Sequence, residues 1–183
     1  MTERPAAPTL ALEDFLPYRL ARIAETVSRD FSRLYKARHG LRRPEWRTLA
    51  TLGQFGTMTA TAVGQHSSMH KTMVSRAVTS LEKRGWLSRQ VDEADRRVEH
   101  LSLTVQGRRI YADLVPLAAG FERALLDRLG AASAGDLLAG LDRLEGELGV
   151  AGRPPDWKGT NAASAGVAGS GSECYPPEPS SPQ

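Results

Sequence analysis

Residues 59–85 read TATAVGQHSSMHKTMVSRAVTSLEKRG. The run divides into a short apolar piece, a tight polar break and a longer piece of helical period. Thr59 is a good N-cap, since its hydroxyl can accept from a backbone N–H of the first turn. A short helix is therefore expected through Gln65, burying Ala62 and Val63. Residues 66–69 form a turn, and a second helix runs from His70 to a stop at Gly85. Short helix, tight turn and second helix make a helix-turn-helix. In the second helix Val74, Ala77, Val78 and Leu81 recur at helical spacing and pack inward. His70, Lys71, Thr72, Ser75, Arg76 and Thr79 occupy the other face, and no carboxylate occurs from Ser67 to Leu81. An ordinary wet helix face mixes signs. A helix reading base edges in the major groove needs small polar and cationic side chains of this kind. Ser68 in the turn, with hydroxyls and backbone N–H groups near the helix start, can hold phosphates.

Working outward, residues 86–91 and 98–103 alternate and are rich in strand formers, while residues 92–97 are charged and turn-prone. This reads as a two-stranded hairpin, the wing of a winged helix. Arg96 and Arg97 lie toward its tip, suited to a narrow minor groove where the negative potential is strongest. The bland alternative is a surface ion-pair cluster worth little. Asp92 or Asp95 is expected to pair with Arg97 and fix the hairpin shape. Upstream, Pro17 opens a long helix striped by Leu16, Leu20, Ile23, Val27, Phe31 and Leu34, with Gly40 as its stop. A second helix starts near Pro44, carries Trp46, Leu49 and Leu52 inward, and ends around residues 53–56. Downstream, Thr104 caps a long helix striped by Ile110, Leu114, Leu117, Phe121, Leu125 and Leu129. Ser133 with Asp136 reads as a capping box for a last helix using Leu137, Leu141, Leu144 and Leu148. The fold class is mainly α with a small β-hairpin: a winged helix-turn-helix domain plus long apolar-striped helices. Those stripes are more than one small domain needs to cover its own core, and pairing two chains would use them as a helical dimerisation region.

The chain has 183 residues, is 40% hydrophobic and 25% charged, and carries a net charge of +3. That mixture excludes a wholly disordered chain. No run of ~18 apolar residues occurs, so no membrane span is expected. Residues 1–12 lack the basic-then-apolar pattern of a signal peptide. The single cysteine, Cys174, cannot form an internal disulfide, which points to a reducing cytoplasm. Charge is uneven: residues 1–66 hold 10 basic and 6 acidic side chains, residues 67–109 hold 9 and 5, and residues 110–149 hold 3 and 7. A basic front and an acidic back suit a polyanionic partner on one side. Residues 150–183 contain 5 Gly, 6 Pro and 5 Ser and lose apolar period, so they read as a disordered tail. Residues 1–11 read as a flexible start, and residues 12–149 as the folded domain, with residues 43–104 its DNA-binding part.

Enzyme classes find no support. There is no glycine-rich phosphate loop and no nucleophile elbow. Cys174 lies in the tail with no base placed near it, and a redox sensor is disfavoured for the same reason. His66 and His70 stand i,i+4, which on one helix could bind zinc. The Ser67-Ser68-Met69 turn interrupts that geometry and no clustered Cys or Glu completes a site. No cofactor and no metal are therefore expected, and a metal-responsive regulator is the weaker alternative. A winged-helix module that binds protein in place of DNA is the other.

Five segments carry a family resemblance. Glu45-Trp46-Arg47-x-Leu49-x-x-Leu52, Lys71-Thr72-x-Val74-Ser75-Arg76, Leu81-Glu82-x-Arg84-Gly85-x-Leu87, Asp92-x-x-Asp95-Arg96-Arg97 and Leu103-Thr104-x-x-Gly107 together resemble the MarR family of transcription regulators. The resemblance covers about residues 12–149. It implies a homodimer built from the first and last helices and binding a pseudopalindrome. The helix from His70 would lie in the major groove, and Arg96 or Arg97 in the minor groove. It also implies a repressor released by a small aromatic or anionic effector held between the dimer helices and the winged domain. Tyr18, Arg19, Arg22, His39, Arg42, Trp46 and Arg47 are the candidates for that effector site, combining aromatic faces with cations. Read singly, Trp46 could equally be core, Arg19 and Arg22 solvated, and Arg42 or Arg43 a phosphate contact. The Leu16-Pro17-Tyr18-Arg19-Leu20 and Pro44-Glu45-Trp46-Arg47 segments are similar to a subgroup controlling aromatic-acid (hydroxycinnamate-type) catabolism through coenzyme A thioesters.

Overall fold

The computed structural model describes residues 9–92, 95, 96 and 98–150. Its elements run α1 (Leu16–His39), α2 (Arg43–Phe55), β1 (Met58–Thr59), α3 (Ala60–His66), α4 (Lys71–Lys83), β2 (Leu87–Val91), β3 (Glu99–Leu103), α5 (Val105–Leu129) and α6 (Ala131–Leu148). The fold is mainly helical with a small antiparallel sheet, a winged helix-turn-helix. None of its helices is long and apolar enough to cross a membrane among the described residues.

Local chemistry sets the element ends. Pro17 sits in the first turn of α1, and Gly40 ends that helix in the left-handed region at φ 63°, its N–H bonded to the Lys36 carbonyl. Thr59 Oγ1 accepts from the Ala62 N–H at 3.2 Å, and Thr104 Oγ1 from the Gly107 N–H at 3.0 Å, so both expected caps are present. The expected hairpin is present as β2 and β3, with an unforeseen strand added to it, and one expectation needs correction. The sheet has three strands, in the order β1-β3-β2, because Met58 and Thr59 pair with Leu101 and His100. Two residues are too few to show a period, so nothing in the sequence marks β1. The Ser133–Asp136 capping box does not form: α6 begins at Ala131, and Gly130 precedes it as an N-cap without a side-chain bond. A one-residue break after α5 leaves Ser133 inside the helix.

The core lies where α2, α3, α4 and the sheet meet. Leu49, Leu52, Val63, Val74, Val78, Leu81, Leu87, Leu101 and Leu103 are buried there, joined by Tyr35 and Leu41 and by Leu114 of α5. Phe31 and Tyr35 of α1 pack on Trp46 of α2, the Tyr35 and Trp46 rings stacked at 5.6 Å. Burying so many large side chains in one cluster anchors α4 from behind, at roughly 1.5–3 kcal/mol for each. Below this cluster, Glu45 is buried and tied into α4. Its Oε2 accepts from the Arg42 N–H at 2.7 Å and its Oε1 from the Ser80 hydroxyl at 2.7 Å. Arg84 at the end of α4 reaches the His39 and Gly40 carbonyls at 3.0 and 3.1 Å, linking α4 to the end of α1.

Candidate nucleic-acid interface

The turn between α3 and α4 is tight. Ser68 adopts a left-handed backbone at φ 50°, a modestly costly conformation for a residue with a Cβ. The Met69 N–H bonds to the Gly64 carbonyl at 2.9 Å, and the Met69 carbonyl would stand 3.1 Å from any Cβ at Gly64. Gly64 thus permits the close approach of the two helices. Arg47 braces the turn from α2, its Nη1 donating to the Ser67 carbonyl at 3.0 Å. Burial, and then the neighbouring Arg43, pull the Arg47 guanidinium below its ordinary pKa.

Val74, Ala77, Val78 and Leu81 are all buried, so one side of α4 is committed to the core. Ser68, His70, Lys71, Thr72, Ser75, Arg76 and Thr79 stand outside that core, on the turn and the outer side of α4. Lys71 and Arg76 make no ion pair among the described residues, so their charges face outward unneutralised. Glu82, the first carboxylate along the helix, turns away to the wing. Arg89 of β2 grips it twice, Nε to Oε1 at 3.1 Å and Nη2 to Oε2 at 2.8 Å, and also holds Glu99 of β3 at 2.7 Å. Those bonds raise the Arg89 pKa further above its ordinary value. The result is a helix face without acid beside a hairpin fixed to the same helix.

The wing itself pairs Leu87 with Leu103 through Val91 with Glu99. Near its tip Asp92 accepts from the Asp95 N–H at 2.9 Å and meets His100 Nε2 at 3.0 Å. Arg96 is exposed there. Arg97, and with it the expected pairing to Asp92 or Asp95, lies outside the described residues. So do the tail and Cys174. His66 closes α3 and His70 precedes α4, so the two imidazoles belong to different helices and the i,i+4 relation has no helical meaning.

The MarR family model matches residues 41–98, which run from α2 through the helix-turn-helix and β2 and stop just before β3. A MarR family transcriptional regulator from Silicibacter pomeroyi DSS-3 is 34% identical, with 74% of this chain and 99% of that one covered and a TM-score of 0.62. The chain belongs to the MarR family. It is a DNA-binding transcription regulator, and MarR regulators are not enzymes. The MarR-like fold is shared by two more distant structures. MepR of S. aureus, solved with DNA, is 19% identical over 73% of this chain and 98% of that one, at a TM-score of 0.63. BpsR of Bordetella bronchiseptica, whose DNA binding is regulated by 6-hydroxynicotinic acid, is 20% identical over 76% and 98%, at 0.65. Among curated proteins none matches.

In this MarR protein the seven effector candidates do not converge on one cavity. Arg19 and Arg22 line a hollow of about 370 Å³ on α1 with Ile23 and Val27. Arg22 also lies over the Tyr18 ring at 5.7 Å. Trp46 and Arg47 border another, of about 340 Å³, with Ser67 and Ser68 of the turn. His39 bonds Asp113 of α5 at 2.7 Å. Of the seven, Arg42 alone lines the third, of about 280 Å³, between α1 and the start of α2. That third hollow holds groups the sequence reading missed. Tyr35 lines it, is 1% exposed, and its phenol Oη has no hydrogen-bond partner among the described residues. Burial pushes the Tyr35 pKa up, while Arg43 and then the nearby Ser32 hydroxyl, itself donating to the Arg29 carbonyl, oppose the rise. Arg43 stands beside it, bonded to Glu25 at 2.6 Å and to the Ser28 hydroxyl at 3.0 Å. An orphan phenol is invisible in sequence, because a buried tyrosine looks there like any core aromatic.

Proposed function

We propose that the chain works as a homodimeric repressor, released from a pseudopalindromic operator by a small aromatic or anionic effector. One observation carries the pairing. Phe15, Leu16 and Ile23 of the first helical region and Leu137, Leu138, Leu141 and Leu148 of α6 are exposed, Ile23 at 57% and Leu148 at 68%. Apolar side chains at this density along two terminal helices need a cover, and a second copy supplies the same surfaces in return. Two-fold pairing presents two α4 helices to one duplex, about one turn or ~34–36 Å apart. On this reading residues 12–149 form the working domain and residues 43–104 its DNA-binding part. Ser68, His70, Lys71, Thr72, Ser75, Arg76 and Thr79 meet the major groove, and Arg96 and Arg97 the minor groove.

The effector reading rests on the orphan Tyr35 phenol beside Arg43, a donor and a cation with room between α1 and α2. An aromatic carboxylate could satisfy both, and 6-hydroxynicotinic acid, the regulator of BpsR, is a compound of that kind. A hydroxycinnamate or its coenzyme A thioester brings a comparable aromatic and anionic character. A ligand there would bear on α1 and α2 together, and a coupling of ~1–3 kcal/mol between the two sites would suffice for control. The test is fluorescence anisotropy against DNA upstream of the gene, at stated salt, with the oligomeric state measured by sedimentation. A dimer that binds the fragment and releases it on addition of an aromatic acid is expected. A monomer, or a dimer that binds no upstream fragment, overturns the proposal.

A further inference from the structure

Between Leu34 and Val91 a single large apolar side chain is exposed: Met73, at 45%. Met73 lies on α4 itself, one residue after Thr72 and three before Arg76. At 100° per residue, Thr72 and Arg76 point away from the core line of Val74, Ala77, Val78 and Leu81. Met73 lies to one side of them. It shares that flank with Ser80, whose hydroxyl bonds Glu45 of α2. There it lines a cleft of about 620 Å³ between α4 and the start of α2, with Arg42, Arg76 and Lys83 around it.

Isolated exposed apolar residues are ordinary on protein surfaces and mean nothing by themselves. Two features set this one apart. It stands on the helix whose outer face carries no acid before Glu82. The cleft it lines, with Glu45 buried at its base, is bordered by Arg42, Arg76 and, further along α4, Lys83, cations that would gather phosphate. A thioether offers nothing to a phosphate. The apolar group a base edge displays in the major groove is the C5-methyl of thymine. A flexible, polarisable methionine is suited to that contact, since it can adjust to where the methyl lies.

We propose that Met73 is a specificity-determining residue that reads a thymine methyl at one position of each half-site, on the flank of α4 that faces α2. This rests on the proposed placement of α4 in the major groove. The test begins by selecting preferred duplexes from a random pool with the full chain. Each thymine of the winning site is then replaced by deoxyuridine, which removes only the methyl. One position per half-site is expected to lose binding about fourfold, the worth of one buried methyl group. Met73→Ala should bind thymine and uracil equally at that position while keeping its other base preferences, and Met73→Leu should retain the discrimination. An unchanged thermal midpoint in both variants establishes that the fold is intact. Wild-type indifference to uracil at every position, or undiminished discrimination in Met73→Ala, overturns the Met73 proposal alone. Failure of the wild type to enrich any sequence overturns the groove placement on which it rests.

Discussion

Gly107 stands in the first turn of α5, where the helix backs onto the base of the wing. A Cβ at this position would run into the Trp86 carbonyl oxygen, which is backbone and cannot swing aside. Thr104 fixes the same turn by accepting from the Gly107 N–H and donating to the Gly85 carbonyl at 2.7 Å. Gly107→Ala should therefore destabilise the domain by about 1–3 kcal/mol, the usual range for overpacking. A chemical-denaturation midpoint measures it. Loss much below that range would mean that α5 can lift off the wing without penalty. Asp113, also on α5, gives a pH-dependent prediction. Its carboxyl is held well below the usual carboxylate range, first by the hydrogen-bonded Arg38 guanidinium and then by His39. A depressed folded pKa lends stability that is complete above the unfolded value of about 4 and drains away as pH falls through the folded one. The melting temperature of the wild type should drop on acidification below about pH 4 more steeply than that of Asp113→Asn. Parallel pH profiles for the two proteins would show that the Arg38–Asp113–His39 cluster contributes nothing.

Among the elements, one side chain ties the wing to the reading helix through two carboxylates. Arg89 spans from Glu82 of α4 to Glu99 of β3. All three side chains are about a third or more exposed, so the pairs add little to global stability, on the order of 0–1 kcal/mol. Their effect lies in the angle they set between hairpin and helix. Arg89→Ala should thus leave the melting temperature within about 4 °C of wild type, the upper end of the shift for 1 kcal/mol in a chain of this length. DNA affinity should fall several-fold even though Arg89 need not touch DNA. An Arg89→Lys variant, which cannot span both carboxylates with a fork, should recover little of it. Equal affinity of Arg89→Ala and wild type would show that wing orientation is irrelevant to binding. The elements also differ in how openly the sequence declares them. The α3–turn–α4 unit is readable because its cap at Thr59, its period at Val74, Ala77, Val78 and Leu81, and its lack of acid all agree. The β1 strand is not, since two residues carry no period and Met58–Thr59 take strand form only by pairing with β3. The start of α6 is easily misplaced because Ser133 and Asp136 offer a cap that the close succession of α5 and α6 makes unnecessary. At the interface, the exposed cations are legible from composition. Met73 is not, because exposure depends on which flank of α4 the neighbouring α2 leaves open. Tyr35 is equally hidden, since a phenol without a partner is a property of packing.

At the scale of the whole molecule, the distribution of apolar surface separates two jobs within one chain. From α2 to β3 the large apolar side chains are almost all enclosed, whereas α1 and α6 leave Leu16, Ile23, Leu138 and Leu141 uncovered. Under the proposed pairing those residues lie between two copies. Ile23→Glu combined with Leu138→Glu places two carboxylates on that surface and should yield a monomer with its winged domain intact. The consequences for DNA follow from counting sites. A dimer binds its second half-site intramolecularly, so breaking the link should weaken binding by about 10²–10⁴ without altering any residue of α4 or the wing. The dependence on salt should change as well, because each α4 and wing brings its own phosphate contacts. The slope of log affinity against log salt falls by about 0.9 for every phosphate that is no longer neutralised, and should therefore be roughly halved in the monomer. Sedimentation and anisotropy at several salt concentrations give both quantities on the same samples. A variant that stays dimeric would place the interface elsewhere than α1 and α6. A monomer that keeps the wild-type affinity and slope would mean that one winged domain reads the whole operator, and the two-fold arrangement would lose its reason.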